Sequence, residues 1–221
     1  MGFWQMGVLP IAENTLYGSI FEGVNAMKNF ITIALIFVTA LFSQKADAAL
    51  ITPISVEVSS TFYNYDKANL INNSGLSTPV SLESAHDTDY HHQWLANFGD
   101  SNPWLVFDLG TICNLTGAAI WQHSYDNDRG VKTLDIYTSL DNITFASAVE
   151  EAVLSLGASS VQLIHFERII SARYVKFDIV DNWGDSNYTG LAEVKFTPIP
   201  EPATMALLGL GGLMLQRKKH A

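Results

Sequence analysis

The chain has 221 residues, 22 of them acidic and 12 basic, for a formal net charge of −10. Such a surface repels nucleic acid and anionic lipid and tolerates divalent cations, which argues against a nucleic-acid partner. A lone cysteine, Cys113, rules out an intrachain disulfide, and its surroundings suit a small apolar residue in a sheet rather than a nucleophile.

Residues 1–26 contain Glu13 and Glu22 but no Lys or Arg, the wrong flank for a secretory signal. They fit neither a signal nor a domain, so they read as an over-extended start, with translation expected from Met27. From there the order is right for a signal peptide over 27–48. Lys28 precedes the thirteen-residue apolar run Phe30 to Phe42, and Ala46-Asp47-Ala48 supplies a small-x-small cleavage site. Cleavage after Ala48 makes Ala49 the first mature residue.

The interior, roughly 150 residues, is the size of one domain. It holds 18 acidic and 7 basic residues, so the negative charge belongs to the domain itself. Short alternating runs recur between turn-forming clusters. Trp104 to Leu109 ends at Gly110, and Ala118 to Trp121 ends in the polar loop Ser124 to Gly130. Leu134 and Ile136 alternate with Asp135 and Tyr137, and a further run covers Val161 to Phe166. In Arg173 to Ile179, Val175, Phe177 and Ile179 share one face while Tyr174, Lys176 and Asp178 share the other, the pattern of a half-buried strand. Gly190 to Phe196 makes the last strand, and Glu150 to Leu156 is expected to form one or two helical turns. Many short strands between Gly/Asn/Asp turns predict an all-β antiparallel sandwich or barrel.

Five blocks in order sharpen that reading: Asn69 to Ser77, Trp94, Pro103 to Gly110, Ala172 to Phe177, and Gly190 to Val194. Together they resemble the discoidin family (coagulation factor V/VIII type C domains) of galactose-binding-like jelly-roll sandwiches. The resemblance runs from about Val58 to Thr197 and places the domain at 49–197. It makes Trp94 and Trp104 core residues, and Arg129 and Arg173 supports for loops. It also implies a structural calcium between an early loop and the final strand, with Asn72, where the family usually has Asp, and Glu193 as ligands. A turn rich in Asn, Ser and Gly offers the carbonyl oxygens such an ion needs.

Carbohydrate recognition in such sandwiches uses the loops at one end. Asp181-Asn182-Trp183-Gly184-Asp185-Ser186-Asn187-Tyr188, and likewise Tyr125-Asp126-Asn127-Asp128-Arg129, offers an aromatic face beside an amide and carboxylates, the composition that suits a sugar with apolar C–H faces and many hydroxyls. Trp183 is the expected platform, Asp181, Asn182 and Asp185 the hydroxyl partners, and Tyr125 a second aromatic. A Trp183 packed as a loop anchor is the alternative. His86 to His92 holds imidazoles and carboxylates at no established zinc spacing and reads as a solvated loop.

The last segment, 198–221, is tripartite. Pro200-Glu201-Pro202 runs into thirteen uncharged residues, Ala203 to Leu215, which Arg217-Lys218-Lys219 then stop. It resembles the PEP-CTERM sorting tail of exported Gram-negative proteins, which implies processing by an exosortase after transit through the secretion machinery. Basic residues beyond an apolar segment favour the cytoplasmic side, and thirteen residues fall short of the ~20 of a comfortable span. The tail is therefore expected to insert transiently as a disposable hydrophobic sorting helix. The leading expectation is a non-catalytic protein of the cell surface or extracellular matrix that binds extracellular polysaccharide. A structural biofilm-matrix component with a protein partner and a glycan-active enzyme stand as alternatives. No nucleophile elbow, HExxH or phosphate loop speaks for the enzyme.

Overall fold

Apolar–polar alternation sets the faces of the strands in residues 49–157 and 159–199, the part described by the computed structural model. The expectations for 1–26, for the signal peptide with Ala46 and Ala48, and for Pro200, Glu201, Pro202, Arg217, Lys218 and Lys219 lie outside the described residues. The rest is an all-β antiparallel jelly roll. Its strands are β1 (Ser55–Val58), β2 (Trp94–Leu95), β3 (Trp104–Gln122), β4 (Val131–Ser139), β5 (Ala146–Val153), β6 (Gln162–Asn182) and β7 (Gly190–Pro198). They follow the order β2-β7-β3-β6-β4-β5, with β1 on β3.

The two longest strands change partners midway. The first part of β3 pairs with β1 and the end of β6, and its second part pairs with β7 and the start of β6. A register shift between Asp108 and Cys113 marks the bend, where Gly110 takes φ +79°, a backbone setting in which a side chain would be strained. A bidentate pair fixes this corner. Arg173 donates to Asp108 through Nε (2.9 Å) and Nη2 (3.0 Å), and the Gly110 N–H donates to Asp108 Oδ1 (2.7 Å). The Arg173 guanidinium holds the Asp108 carboxyl below its ordinary range. Each sequence run that ended at this bend is thus half of one strand.

The core lies where the two parts of the sheet face each other. Phe107 of β3, Phe177 of β6 and Phe196 of β7 meet edge to face, with centroids 5.2, 5.6 and 6.2 Å apart, a geometry that suits the aromatic quadrupole. Leu105, Leu115, Ile120, Leu134, Ile136 and Val175 complete it. A smaller cluster around Trp121 and Leu76 covers the other face of β3 and β7.

Two local expectations are corrected. Residues 150–156 form no helical turn: 146–153 make β5, paired with β4. The Glu-Glu-Ala composition favours helix, but Ala148, Val149 and Ala152 pack on the core instead, and Glu151 at φ +54° absorbs the register shift. Trp94 is fully buried, whereas Trp104 is 38% exposed, because Leu105, Phe107 and Leu109 take the inward positions of β3 and leave Trp104 the outward one.

The loops after β1, β2, β3 and β6 converge at one end. Backbone bonds tie them together: Phe62 N–H to Leu95 O (2.9 Å), Gly99 N–H to Asn187 O (2.9 Å), Trp183 N–H to Gly130 O (3.0 Å) and Asp185 N–H to Asp128 O (3.2 Å). β7 starts there and finishes at the opposite end, beside Ile51, which pairs with Phe196. Phe177→Ala is expected to cost roughly 3–5 kcal/mol by leaving a cavity among the three rings. Val180→Ala, on the exposed face, should stay within about 0.5 kcal/mol. Urea denaturation of both variants checks the contrast.

Candidate functional site

Chain that crosses the end of a sandwich has peptide groups with no ladder partner, and here buried side-chain amides meet them. Gln122 Oε1 accepts from the Val131 N–H (2.9 Å), while its Nε2 donates to Val131 O (2.6 Å) and Ser155 O (3.3 Å). Gln93 Oε1 accepts from the N–H of Ser124 (3.0 Å) and of Tyr125 (3.4 Å). The two amides therefore hold both ends of the 123–130 loop. Asn182 does the same for 183–189: its Nδ2 donates to Asp185 O (2.7 Å), Tyr188 O (3.0 Å) and Thr189 Oγ1 (2.9 Å), and its Oδ1 accepts from the Gly184 N–H (2.9 Å). At Gly190 the chain passes so close to Trp94 that a Cβ would sit 2.5 Å from the Trp94 carbonyl oxygen.

These loops carry a line of aromatic rings. Tyr125 meets Tyr90 (5.5 Å), Tyr90 meets Tyr65 (5.3 Å), Tyr65 meets Phe62 (6.1 Å), Phe62 meets Tyr188 (5.1 Å) and Tyr188 meets Phe98 (5.7 Å). Arg129 lies against this wall, its guanidinium carbon 4.9 Å from the Tyr188 ring centre. Asp126 at 2.7 Å and Asp185 at 3.0 Å hold its Nη1 and Nε. Among the described residues, Nη2 has no acceptor. Burial works against the Arg129 charge, but Asp185 and Asp126 outweigh it and raise its pKa. Burial likewise disfavours the Asp185 anion, yet the Asn187 N–H, Arg129 and the Tyr188 N–H prevail and keep it ionised. Burial raises the Tyr65 phenol, with Arg129 opposing.

Behind the wall sits His123, fully enclosed, its ring 6.3 Å from that of Tyr65. Both ring nitrogens lack a partner among the described residues, as does Nε2 of the buried His86. Burial first, then the charges of Arg129 and His86, push His123 down to about 3, against a smaller opposing effect of Asp185. It is neutral at ordinary pH.

The residues singled out in the sequence fall into three groups. Trp183 is half-buried at the flank, with Lys132 Nζ 5.7 Å from its ring and its indole N–H buried without an acceptor. Asp181 pairs with the same Lys132 at 3.1 Å. Asp185 and Tyr125 belong with Arg129 and the aromatic wall. Asn182 is buried, and its amide is taken up by the loop. Sequence reading missed Phe62, Tyr65, Tyr90, Phe98 and His123 as parts of this wall, and named Tyr188 only as the end of the 181–188 run. Their density in turn segments was the available signal, but they come from four separate loops.

Glu193 and Asn72 do come together, since Glu193 Oε2 accepts the N–H of Asn73 (3.0 Å). The donor set does not fit calcium as it stands. Glu193 Oε1 faces the Lys195 ammonium at 3.0 Å, and Asn72 Oδ1 accepts from both the N–H (2.8 Å) and hydroxyl (2.6 Å) of Ser74. Burial pushes the Glu193 carboxyl up to about 7, with Lys195 opposing. In the 86–92 segment, His91 bonds Asp89 (2.9 Å) and His92 bonds Asp87 (2.8 Å) at the surface, while His86 is buried rather than solvated. Among the described residues, no group of three or more His, Cys, Asp or Glu is placed to hold a metal.

The loops of this jelly roll thus gather rings and charges at one end. Residues 55–194 match the F5/8 type C domain model, and the chain belongs to that family. Residues 198–218 match the PEP-CTERM protein-sorting motif, which marks an exported surface protein and implies exosortase processing. Among solved structures, CBM32-3 from a family 31 glycoside hydrolase of Clostridium perfringens is 18% identical (TM-score 0.52), covering 69% of this chain and 93% of that one. The family 32 CBM of C. perfringens NanJ in complex with galactose is 15% identical (TM-score 0.48; 64% and 91%). Chitosan-binding module 1 from a Paenibacillus sp. IK-5 chitosanase/glucanase is 13% identical (TM-score 0.48; 66% and 96%). No curated protein matches the chain.

Two predictions follow from the site's buried polar groups. Gln122→Leu leaves the peptide groups of Val131 unmet and should cost on the order of 2–4 kcal/mol in urea denaturation. His123 keeps its neutral form in the fold while the unfolded chain takes up a proton below about pH 6.5. Its contribution is therefore full above that pH and is lost as pH falls toward about 3. Glu193 runs the other way, with stability present below its ordinary 4.5 and lost as pH rises through about 7. His123→Leu should accordingly flatten the acid limb of the stability–pH curve and leave the neutral limb unchanged, as urea midpoints measured across the range will report.

Proposed function

We propose that this exported surface protein binds an extracellular glycan without catalysis, at the loop end of its sandwich. The observation that carries the reading is Arg129: a half-buried fork held by two carboxylates against Tyr188, with Nη2 left to donate, in a line of aromatic rings. Aromatic faces suit the C–H faces of a sugar, and a fixed charged donor suits its hydroxyls. Asp126 and Asp185 are both bound to Arg129, and Asp185, kept ionised by its N–H partners and Arg129, serves as an acceptor. The CBM32-3 relative, by its name a carbohydrate-binding module, has the same fold. On this reading Tyr125 and Tyr188 form the platform, Asp185 and Arg129 meet hydroxyls, and Trp183 with Asp181 lies at the flank.

The mature domain spans 49–197, the signal peptide is 27–48, and translation starts at Met27. The tail inserts transiently in the membrane of a Gram-negative bacterium and is then removed, leaving the domain at the surface or among the cell's own exopolysaccharide.

A glycan array followed by titration of the best sugar tests the site. Tyr125 is half exposed, so Tyr125→Ala should weaken binding roughly tenfold, the value of one ring–sugar stack, with an unchanged melting curve. Trp183→Ala should lower the melting temperature and leave affinity nearly intact. The reverse pattern moves the site to Trp183, and an array without saturable binding removes the glycan reading.

A further inference from the structure

β7 is buried on both faces, and two of its residues are charged. Glu193 and Lys195 lie two apart and so point to one side, away from Val194 and Phe196 in the main core. Both are enclosed, with side-chain exposures of 0% and 1%. The Lys195 ammonium donates to Glu193 Oε1 (3.0 Å) and to Thr52 Oγ1 (3.0 Å). The second carboxylate oxygen, Oε2, receives the Asn73 N–H (3.0 Å). Ile51 and Phe196 exchange two backbone bonds alongside (2.8 and 2.9 Å). The Glu193–Lys195 pair thus ties three separate stretches of chain, Lys195 reaching Thr52 of the first described segment and Glu193 reaching the 72–74 turn from the last strand.

A calcium ion at this place would need roughly six to eight oxygen ligands and would gain affinity from their charge. Glu193 is the one carboxylate in the contacts described, and one of its oxygens already faces the Lys195 ammonium. A divalent ion would have to enter beside an ammonium, and like charges so close repel strongly in a buried setting. We propose that the Lys195 ammonium is a permanent internal substitute for a structural calcium ion, so that the domain folds and holds its shape without any divalent cation. The proposal concerns the scaffold and stands whether or not the loop end binds sugar.

The test uses the full chain in calcium and in chelator. The unaltered protein should show one melting temperature in both, and calorimetric titration with calcium should show no saturable heat. Lys195→Met leaves Glu193 buried and unpaired and should lower the melting temperature by about 10 °C in chelator. Glu193→Gln/Lys195→Met, which removes both charges, should recover part of that loss. A calcium-dependent rise in the unaltered protein that Glu193→Gln abolishes would overturn the proposal, as would a double variant no more stable than Lys195→Met. Should Lys195→Met fail to fold, the calcium titration of the unaltered protein and the melting of the double variant still decide the matter.

Discussion

A carboxamide side chain carries the same donor and acceptor as a peptide group, and the loop end of this protein rests on that equivalence. Asn69, Gln93, Gln122 and Asn182 are all buried, and each bonds to backbone. Asn69 reaches the carbonyls of His91 (2.8 Å) and Gln93 (3.1 Å), Gln93 then holds 124–125, Gln122 holds 131, and Asn182 holds 184–189. An unmet buried peptide group costs about as much as a lost hydrogen bond. Without these amides the loops would have to swing outward into water. Arg129 and the rings of Tyr65 and Tyr188 hold their places because the backbone beneath them is pinned.

The protein uses its two best-placed arginines in contrasting ways. Arg173 spends its fork on Asp108 at the bend of β3, a closed pair that shapes the scaffold. Arg129 divides its fork between Asp126 and Asp185 and keeps one nitrogen for something else. The difference lies in geometry: one carboxylate in the guanidinium plane takes two donors side by side, whereas two carboxylates from different loops leave an arm free. In an acidic domain, both of these arginines sit where they join segments far apart in sequence.

Much of the fold was legible because the strand signal is local. Alternation in Arg173 to Ile179 and the apolar run at Gly190 to Phe196 correspond to strand, and the order of the blocks carried the jelly roll. The misreadings share a physical cause. At β5 a helix-favouring composition gave way to pairing with β4, an interaction between residues far apart in the chain. Trp104 lost the core to its neighbours on the opposite face. The site was least legible: Gln93 and Gln122 look like any polar residue near a turn, and His123 reveals its enclosure only once Tyr65 and Gly190 are brought beside it. Lys195 alternates as an outward residue should, and nothing in the local pattern shows that the outward face is covered by Thr52.

β7 joins the loop end to the sorting segment by its direction. It begins among the loops at Gly190 and runs to Pro198 at the far end, where the sorting segment follows. A load between a ligand held at the loops and an attachment at that end would act along the strand. Its bonds to β3 run from Gln122–Leu191 to Leu115–Pro198 and lie across that direction. They would be sheared together instead of unzipped one at a time, the arrangement in which a sheet resists tension best.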